Sequence, residues 1–167
     1  MLPAVFVGCA QNVSMRDVSR TDRAPSPIQD SEEGWVKAQI DEYVATDGEQ
    51  PGFRGGVPLV LVTTQGAKSG IWRRTCLIGD SDGADVIIVA SVGGAPKHPS
   101  WYHNLAANPR VWVQQGADTF WARAHTATSD EKPRLWDKMV GLYPDYAAYQ
   151  LKTDREIPVV VLVREVE

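Results

Sequence analysis

Cysteine is scarce in this chain. Cys9 and Cys76 are the two in 167 residues, and they stand in unrelated contexts without metal-ligand spacing, which speaks against a disulfide framework or a cysteine-bound zinc. A reducing, cytoplasmic setting is the default for such usage. Long apolar runs are missing as well. The longest, over 57–62 and 159–163, are strand-length and far short of the roughly 20 residues of a membrane-spanning helix. There is no internal repeat and no strand–helix alternation of the dinucleotide-binding kind. No Ser-His-Asp set, paired carboxylates or metal triad is visible, which argues against a hydrolase or a metalloenzyme. A net charge of −4 speaks against nucleic acid as a partner.

Acid is missing locally too. Windows 57–79 and 86–117 hold no Asp or Glu, yet carry Lys68, Arg73, Arg74, Lys97 and Arg110 together with His98 and His103. In an acidic protein this pattern points to a bound anion. The alternative is that strands and turns hold few carboxylates here.

What is present is the composition of one globular domain, 43% hydrophobic and 23% charged. Residues 1–14 open on a short apolar stretch ending at Gly8-Cys9, without the basic start of a secretory signal; an upstream tail before Met15 is expected. Residues 1–29 are expected to form a flexible N-terminal arm carrying Pro25 and Pro27. Residues 30–56 are expected to form a helix and linker. Asp30 with Glu33 suggests an N-terminal cap, and Val36, Ile40, Tyr43 and Val44 fall on one helical face.

From 57 to 167 the pattern is that of a barrel domain. Strands are expected over 57–64, 71–79 and 85–92, a short helix over 100–107, and a hairpin of 110–115 with 119–126. Thr128 with Glu131 forms a capping box for a helix to about 143 with Leu135, Met139 and Leu142 on its apolar side. A second helical piece runs to about 149, and a last strand covers 159–166. Three sequential antiparallel strands, a hairpin and a returning strand suit a six-stranded split β-barrel with flanking helices, an α+β protein that is mainly β.

Two stretches carry candidate chemistry. In Gly66-Ala67-Lys68-Ser69-Gly70-Ile71-Trp72-Arg73-Arg74 a hairpin turn presents a lysine, a hydroxyl and backbone amides. Arg73 and Arg74 point to opposite faces of the outgoing strand, so one of them shares a surface with the turn. Arginine forks and a lysine charge suit phosphate or carboxylate; the alternative is an exposed basic hairpin tip. In the second stretch, 90–104, the pair Gly93-Gly94 lets a flat ligand approach the backbone, and Ser100 is read as the cap of the short helix. Trp101 and Tyr102 offer ring surfaces, with a core anchor as the alternative for Trp101.

Four separated motifs stand in order: Thr63-Thr64-x-Gly66-x-Lys68-Ser69-Gly70-x-x-Arg73; Val89-Ala90-Ser91-x-Gly93-Gly94-x-x-Lys97-x-Pro99-x-Trp101-Tyr102-x-Asn104-Leu105-x-x-Asn108-Pro109; Tyr143-Pro144-x-Tyr146-x-x-Tyr149; and Arg155-x-Ile157-Pro158. Together, over 58–163, they resemble the deazaflavin-dependent nitroreductase family of actinobacteria. That resemblance implies a split β-barrel of the FMN-binding type and reduced coenzyme F-420, a deazaflavin with a phosphate and a poly-glutamate tail. It also implies reduction of nitroaromatics, quinones or other activated double bonds.

By position, the resemblance places Ala67, Lys68, Ser69, Arg73, Arg74, Thr75, Cys76, Leu77 and Ile78 along the tail and phosphate. Val89, Ala90, Ser91, Val92, Gly93 and Gly94 fall at the ring and linker. Lys97, Ser100, Trp101, Tyr102, His103 and Asn104 close the phosphate end. Tyr143, Tyr146 and Tyr149 border the acceptor, for which the alternative is an aromatic core face, and Trp35 is expected to fold over as a lid. Tyr146 is the first choice as hydrogen-bond donor to the acceptor and Ser91 the second. Val92 and Ile78 stand where the nitroreductase type has a lysine and a tyrosine, which removes polar groups near the cofactor. An FMN-dependent oxidoreductase on the same barrel and a non-catalytic deazaflavin carrier or sensor are the competing functions. The acceptor is a small molecule; peripheral membrane contact and oligomeric state stay open.

Overall fold

The computed structural model describes residues 23–49, 52 and 56–166; the tail before Met15 lies outside them. The elements are β1 (Ile28–Asp30), α1 (Gly34–Thr46), β2 (Leu59–Gln65), β3 (Trp72–Asp82), β4 (Asp85–Val89), α2 (Ser100–Ala107), β5 (Arg110–Gln115), β6 (Asp118–Thr126), α3 (Lys132–Leu142), α4 (Asp145–Leu151) and β7 (Val159–Arg164). Strands run β3-β2-β5-β6-β7-β4, and β4 pairs back onto β3 to close a six-stranded antiparallel barrel. Among the described residues no helix is long and apolar enough to cross a membrane.

Closure falls to β3. Its first part pairs with β2, ending at Ile78 opposite Leu59, and its last part pairs with β4, starting at Gly79 opposite Ile88. Gly79 sits at the changeover, where a Cβ would stand 2.6 Å from Val60 Cγ2 and 3.3 Å from Ile88 Cγ2. Glycine there lets the strand pass close over the side chains of the barrel interior.

The pleat sends alternate residues into the barrel interior and out to two helical layers. Inward face Val60, Val62, Val86, Ile88, Val111, Val113, Phe120, Ala122, Val160 and Leu162, with Leu105 of α2 plugging the barrel. Outward, Ile87, Val89, Val159 and Val161 pack against Leu135 and Met139 of α3 and Tyr146 of α4. Leu61 and Cys76 pack outward against Val36, Ile40 and Tyr43 of α1. Strands buried on both faces read as continuous apolar runs, which is why 57–62 and 159–163 lack alternation.

The structure corrects several boundaries and caps. Ile28–Asp30, at the junction expected between arm and helix, form a strand parallel to β3, with Asp30 opposite Arg74. Asp30 therefore caps no helix; Glu33 precedes α1 and makes no side-chain cap bond. Val44 is 42% exposed, off the apolar face that Val36, Ile40 and Tyr43 form. Ser100 is the first residue of α2 rather than its cap, behind Pro99. β3 runs on to Asp82 because β4 is there to pair with it, and β4 stops at Val89, where the chain turns out of the sheet. The Thr128–Glu131 capping box forms in both directions, with Thr128 N donating to Glu131 Oε2 (2.9 Å) and Glu131 N to Thr128 Oγ1 (3.3 Å).

The two helical layers should differ sharply from their exposed rims in stability. Ile40→Ala, at a fully buried position, should cost about 2–5 kcal/mol in denaturant unfolding. Trp35→Ala, on the same helix but 62% exposed, should stay within about 0.5 kcal/mol of the parent.

Candidate functional site

Between the α1 layer and the α4 layer, on the outside of the barrel, lies a cleft of about 940 Å³. β3 supplies its floor from Arg73 to Ile78, joined by Val89 at the end of β4. One wall is the Ser91–Gly93 loop with Ser100, Trp101 and Asn104 of α2; the other is the stretch Gln29–Glu33 with Trp35 and Val36. Tyr143, Tyr146 and Tyr149 line the side toward α3 and α4. Segments far apart in sequence thus share one surface around β3.

The cleft's charge differs from that of the sequence windows. Asp30 grips Arg74 in a bidentate pair, 2.6 Å to Nε and 3.0 Å to Nη2, so that guanidinium is already neutralised. Arg73 is exposed and, among the described residues, has no ion-pair partner; it is the free cation of the floor. Arg73 and Arg74 both line the cleft, although they alternate along β3. Glu32 and Glu33 also border it. The acid-free windows do not make an acid-free site, since β1 and the start of α1 carry carboxylates in from outside.

Several expected contacts lie elsewhere. Ala67, Lys68 and Ser69 form an exposed turn outside the cleft. That turn is tied down by Asn104, whose Oδ1 accepts from Ala67 N (3.0 Å) while its Nδ2 donates to Thr64 Oγ1 (3.2 Å). Tyr102 packs on the barrel core and its hydroxyl meets Thr126 Oγ1 at 2.8 Å. Lys97 and His103 are exposed away from the cleft, and Ala90 is fully buried behind it. Gly94 faces α4, where a Cβ would stand 2.5 Å from the Tyr149 carbonyl oxygen; its role is close packing. Trp101 is both half-buried against the core and on the cleft wall, so the two readings of it coincide.

Residues 92–94 form a short turn in which Val92 (φ 45°), Gly93 (φ 61°) and Gly94 (φ 82°) are all left-handed. For a β-branched residue this costs about 1–2 kcal/mol. The turn is held by Arg155, which donates to the carbonyls of Ala90, Ser91 and Ala95. Burial first, and then the Arg155 charge, hold His98 below the usual imidazole range.

The tyrosines are not on one helix. Tyr143 ends α3, while Tyr146 and Tyr149 lie on α4. The Tyr143 and Tyr149 hydroxyls pair at 3.2 Å, and the Tyr143 and Tyr146 rings meet edge-on at 5.1 Å. Tyr146 is 3% exposed, and burial pushes its phenol well above the ordinary range. Core face and cleft wall are therefore the same residues.

The sequence profile described as "F420H(2)-dependent quinone reductase" matches residues 35–164. The chain belongs to this family. The F420H(2)-dependent quinone reductase Rv1261c of Mycobacterium tuberculosis is 42% identical over 113 residues, covering 66% of this chain and 76% of that one. A solved structure described as "Structure of F420-H2 Dependent Reductase (FDR-A)" is 46% identical with a TM-score of 0.59, covering 63% of this chain and 93% of that one. A second, described as a domain-swapped dimer, is 41% identical with a TM-score of 0.61 and covers 79% of this chain and 99% of that one. The family is one of oxidoreductases that use reduced coenzyme F-420, which sets the FMN alternative aside.

The cleft suits that cofactor. Leu77, Ile78, Val89 and Trp101 offer apolar contact for a flat ring, Gly93 leaves open space where a Cβ would stand, and Arg73 is a free cation for an acidic tail. Sequence reasoning missed Gln29 and Glu32, read Asp30 and Glu33 only as a helix cap, and gave Thr64 no role beyond the motif, although all five line the cleft; what brings the N-terminal segment there is the tertiary pairing of β1 with β3. It also gave Arg155 no role beyond the motif.

Cys76 borders the cleft but is 7% exposed, and burial pushes its thiol up to about 12. At pH 8 it should hold roughly a thousandfold less thiolate than an ordinary cysteine. In a Cys9→Ser background, a disulfide reagent should therefore label the native protein very slowly and the denatured protein at once. Rapid native labelling would mean that the α1 layer opens readily.

Proposed function

We propose that this cleft binds reduced coenzyme F-420 between the Ser91–Gly93 wall and the β3 floor, and that a quinone enters on the tyrosine side. When bound, the reduced deazaflavin supplies the hydride. The residues of the chain orient the two molecules, exclude water and stabilise charge on the acceptor. Arg73 meets the acidic tail, with Thr75 to Ile78 along the floor. Trp35, 62% exposed at the rim, screens the acceptor from solvent.

One observation carries the acceptor side of this reading. Among the described residues nothing pairs with the Tyr146 hydroxyl, although the ring is wedged between Tyr143, Tyr149 and Trp136. Burial keeps that hydroxyl protonated, so it can donate a hydrogen bond to a quinone oxygen as negative charge develops there. It holds its own proton throughout. Ser91 is the second donor of the cleft wall, its carbonyl already engaged by Arg155 Nη2 at 2.7 Å. Ile78 and Val92 present apolar surface in place of polar groups, which favours an apolar ring acceptor.

Tyr146→Phe keeps the packing and removes the donor. Steady-state turnover with a quinone should fall about tenfold to a hundredfold, roughly 1.4–2.7 kcal/mol, with cofactor affinity nearly unchanged. Parental turnover would remove the donor role, and a large loss of affinity would move Tyr146 to the cofactor side.

Arg73→Ala should weaken coenzyme F-420 binding by about 1 kcal/mol, a factor of roughly five. The loss should shrink in high salt and for a cofactor lacking its glutamates. Unchanged affinity in low salt would place the tail elsewhere.

A further inference from the structure

Arg155 lies between α4 and β7, half-buried, with no carboxylate partner among the described residues. Its fork is spent on backbone. Nε donates to the Ala95 carbonyl at 2.7 Å, Nη2 to the Ser91 carbonyl at 2.7 Å, and Nη1 to the Ala90 carbonyl at 3.1 Å while facing His98 Nδ1 at 2.9 Å. These carbonyls flank the turn 92–94 on both sides, so one guanidinium pins both its ends. Ala90 is further fixed by its N–H bond to the Pro158 carbonyl, 2.9 Å.

Between the ends so held, the turn closes through three left-handed residues. Gly93 and Gly94 accept that freely. Val92 does not: its φ of 45° is one a β-branched residue adopts only when its surroundings impose it. Val92 and Gly93 face the cleft, so the imposed conformation is the shape of the cofactor wall. Lysine could not replace the clamp, since a single ammonium cannot span three carbonyls as a planar fork does.

We propose that Arg155 is a positioning residue for the cofactor site, holding Val92 in its left-handed conformation and so fixing the wall against which the deazaflavin binds. The proposal rests on the assignment of the cleft to coenzyme F-420. The conformational cost that Arg155 overcomes belongs to Val92, so the two residues must be coupled. A glycine at 92 takes the same φ without help.

The test is a double-mutant cycle of parent, Arg155→Lys, Val92→Gly and the double variant, read by fluorescence titration with coenzyme F-420 and by Tm. Arg155→Lys should weaken binding about tenfold in the parent and about threefold or less in the Val92→Gly background. A residue that merely supports the fold would lower Tm and lower affinity by the same factor in both backgrounds, and that result overturns the proposal. Parental affinity in Arg155→Lys overturns it as well. If Arg155→Lys alone is insoluble, recovery of a folded, binding double variant supports the clamp, and insolubility of both assigns Arg155 to the fold at large and overturns it. Failure of the parent itself to bind would instead defeat the cleft assignment on which the proposal stands.

Discussion

The pairing of β3 with three other strands is the constraint on which the rest of the structure depends. Its antiparallel contacts with β2 and then β4 close the barrel, and its parallel contact with β1 brings in the N-terminal segment. Glycine at 79 makes the first two compatible, because any side chain there would strike Val60. With the barrel interior filled by alternate side chains, the same strands have outward residues left over for two separate helical layers. The cleft is the gap between those layers, and β3 lies on its floor.

Electrostatics in the cleft follow from that arrangement. Arg74 would be a second free cation on the floor, but β1 sets Asp30 opposite it and the pair cancels. On the proposed reading a long anionic tail is left with Arg73, in a cleft that Glu32 and Glu33 also line. Tail affinity would then rest on one exposed charge that salt screens readily, and most of the binding contact would come from the apolar floor and the Ser91–Gly93 wall.

Hydride transfer leaves little acid–base work for the protein, and the cleft offers little. Its thiol is held neutral by burial, and its buried phenol keeps its proton. Among the described residues no group of three or more His, Cys, Asp or Glu stands together as a metal site. What the chain provides is position: a strained loop held by a guanidinium, aromatic rings locked edge to face, and a buried Tyr146 hydroxyl without a partner among the described residues. These are the properties an electron-transferring cofactor needs from its protein.

Apolar patterning and turn chemistry by themselves determined the barrel. The strands at 57–64 and 159–166, the helix at 100–107, the hairpin closing at Gly116 and the capping box at Thr128 are local signals, and burial and backbone geometry act on them locally; the structure trims the last strand to Val159–Arg164. The ordered motifs from Thr63 to Pro158 likewise made the family legible, and they put Arg73, Ser91, Trp101 and the three tyrosines on the cleft surface. Only the tertiary structure decided which of the remaining motif residues face the cleft and which brace it. Lys68, Asn104, Gly94 and Arg155 read alike as polar or glycine motif positions. Asn104 both lines the cleft and ties down a turn, Gly94 makes room for α4, and Arg155 binds carbonyls. The Asp30–Arg74 pair and the acidic wall were invisible for the same reason: a contact between residues 44 positions apart is set by how strands pair in space, and no local propensity encodes it.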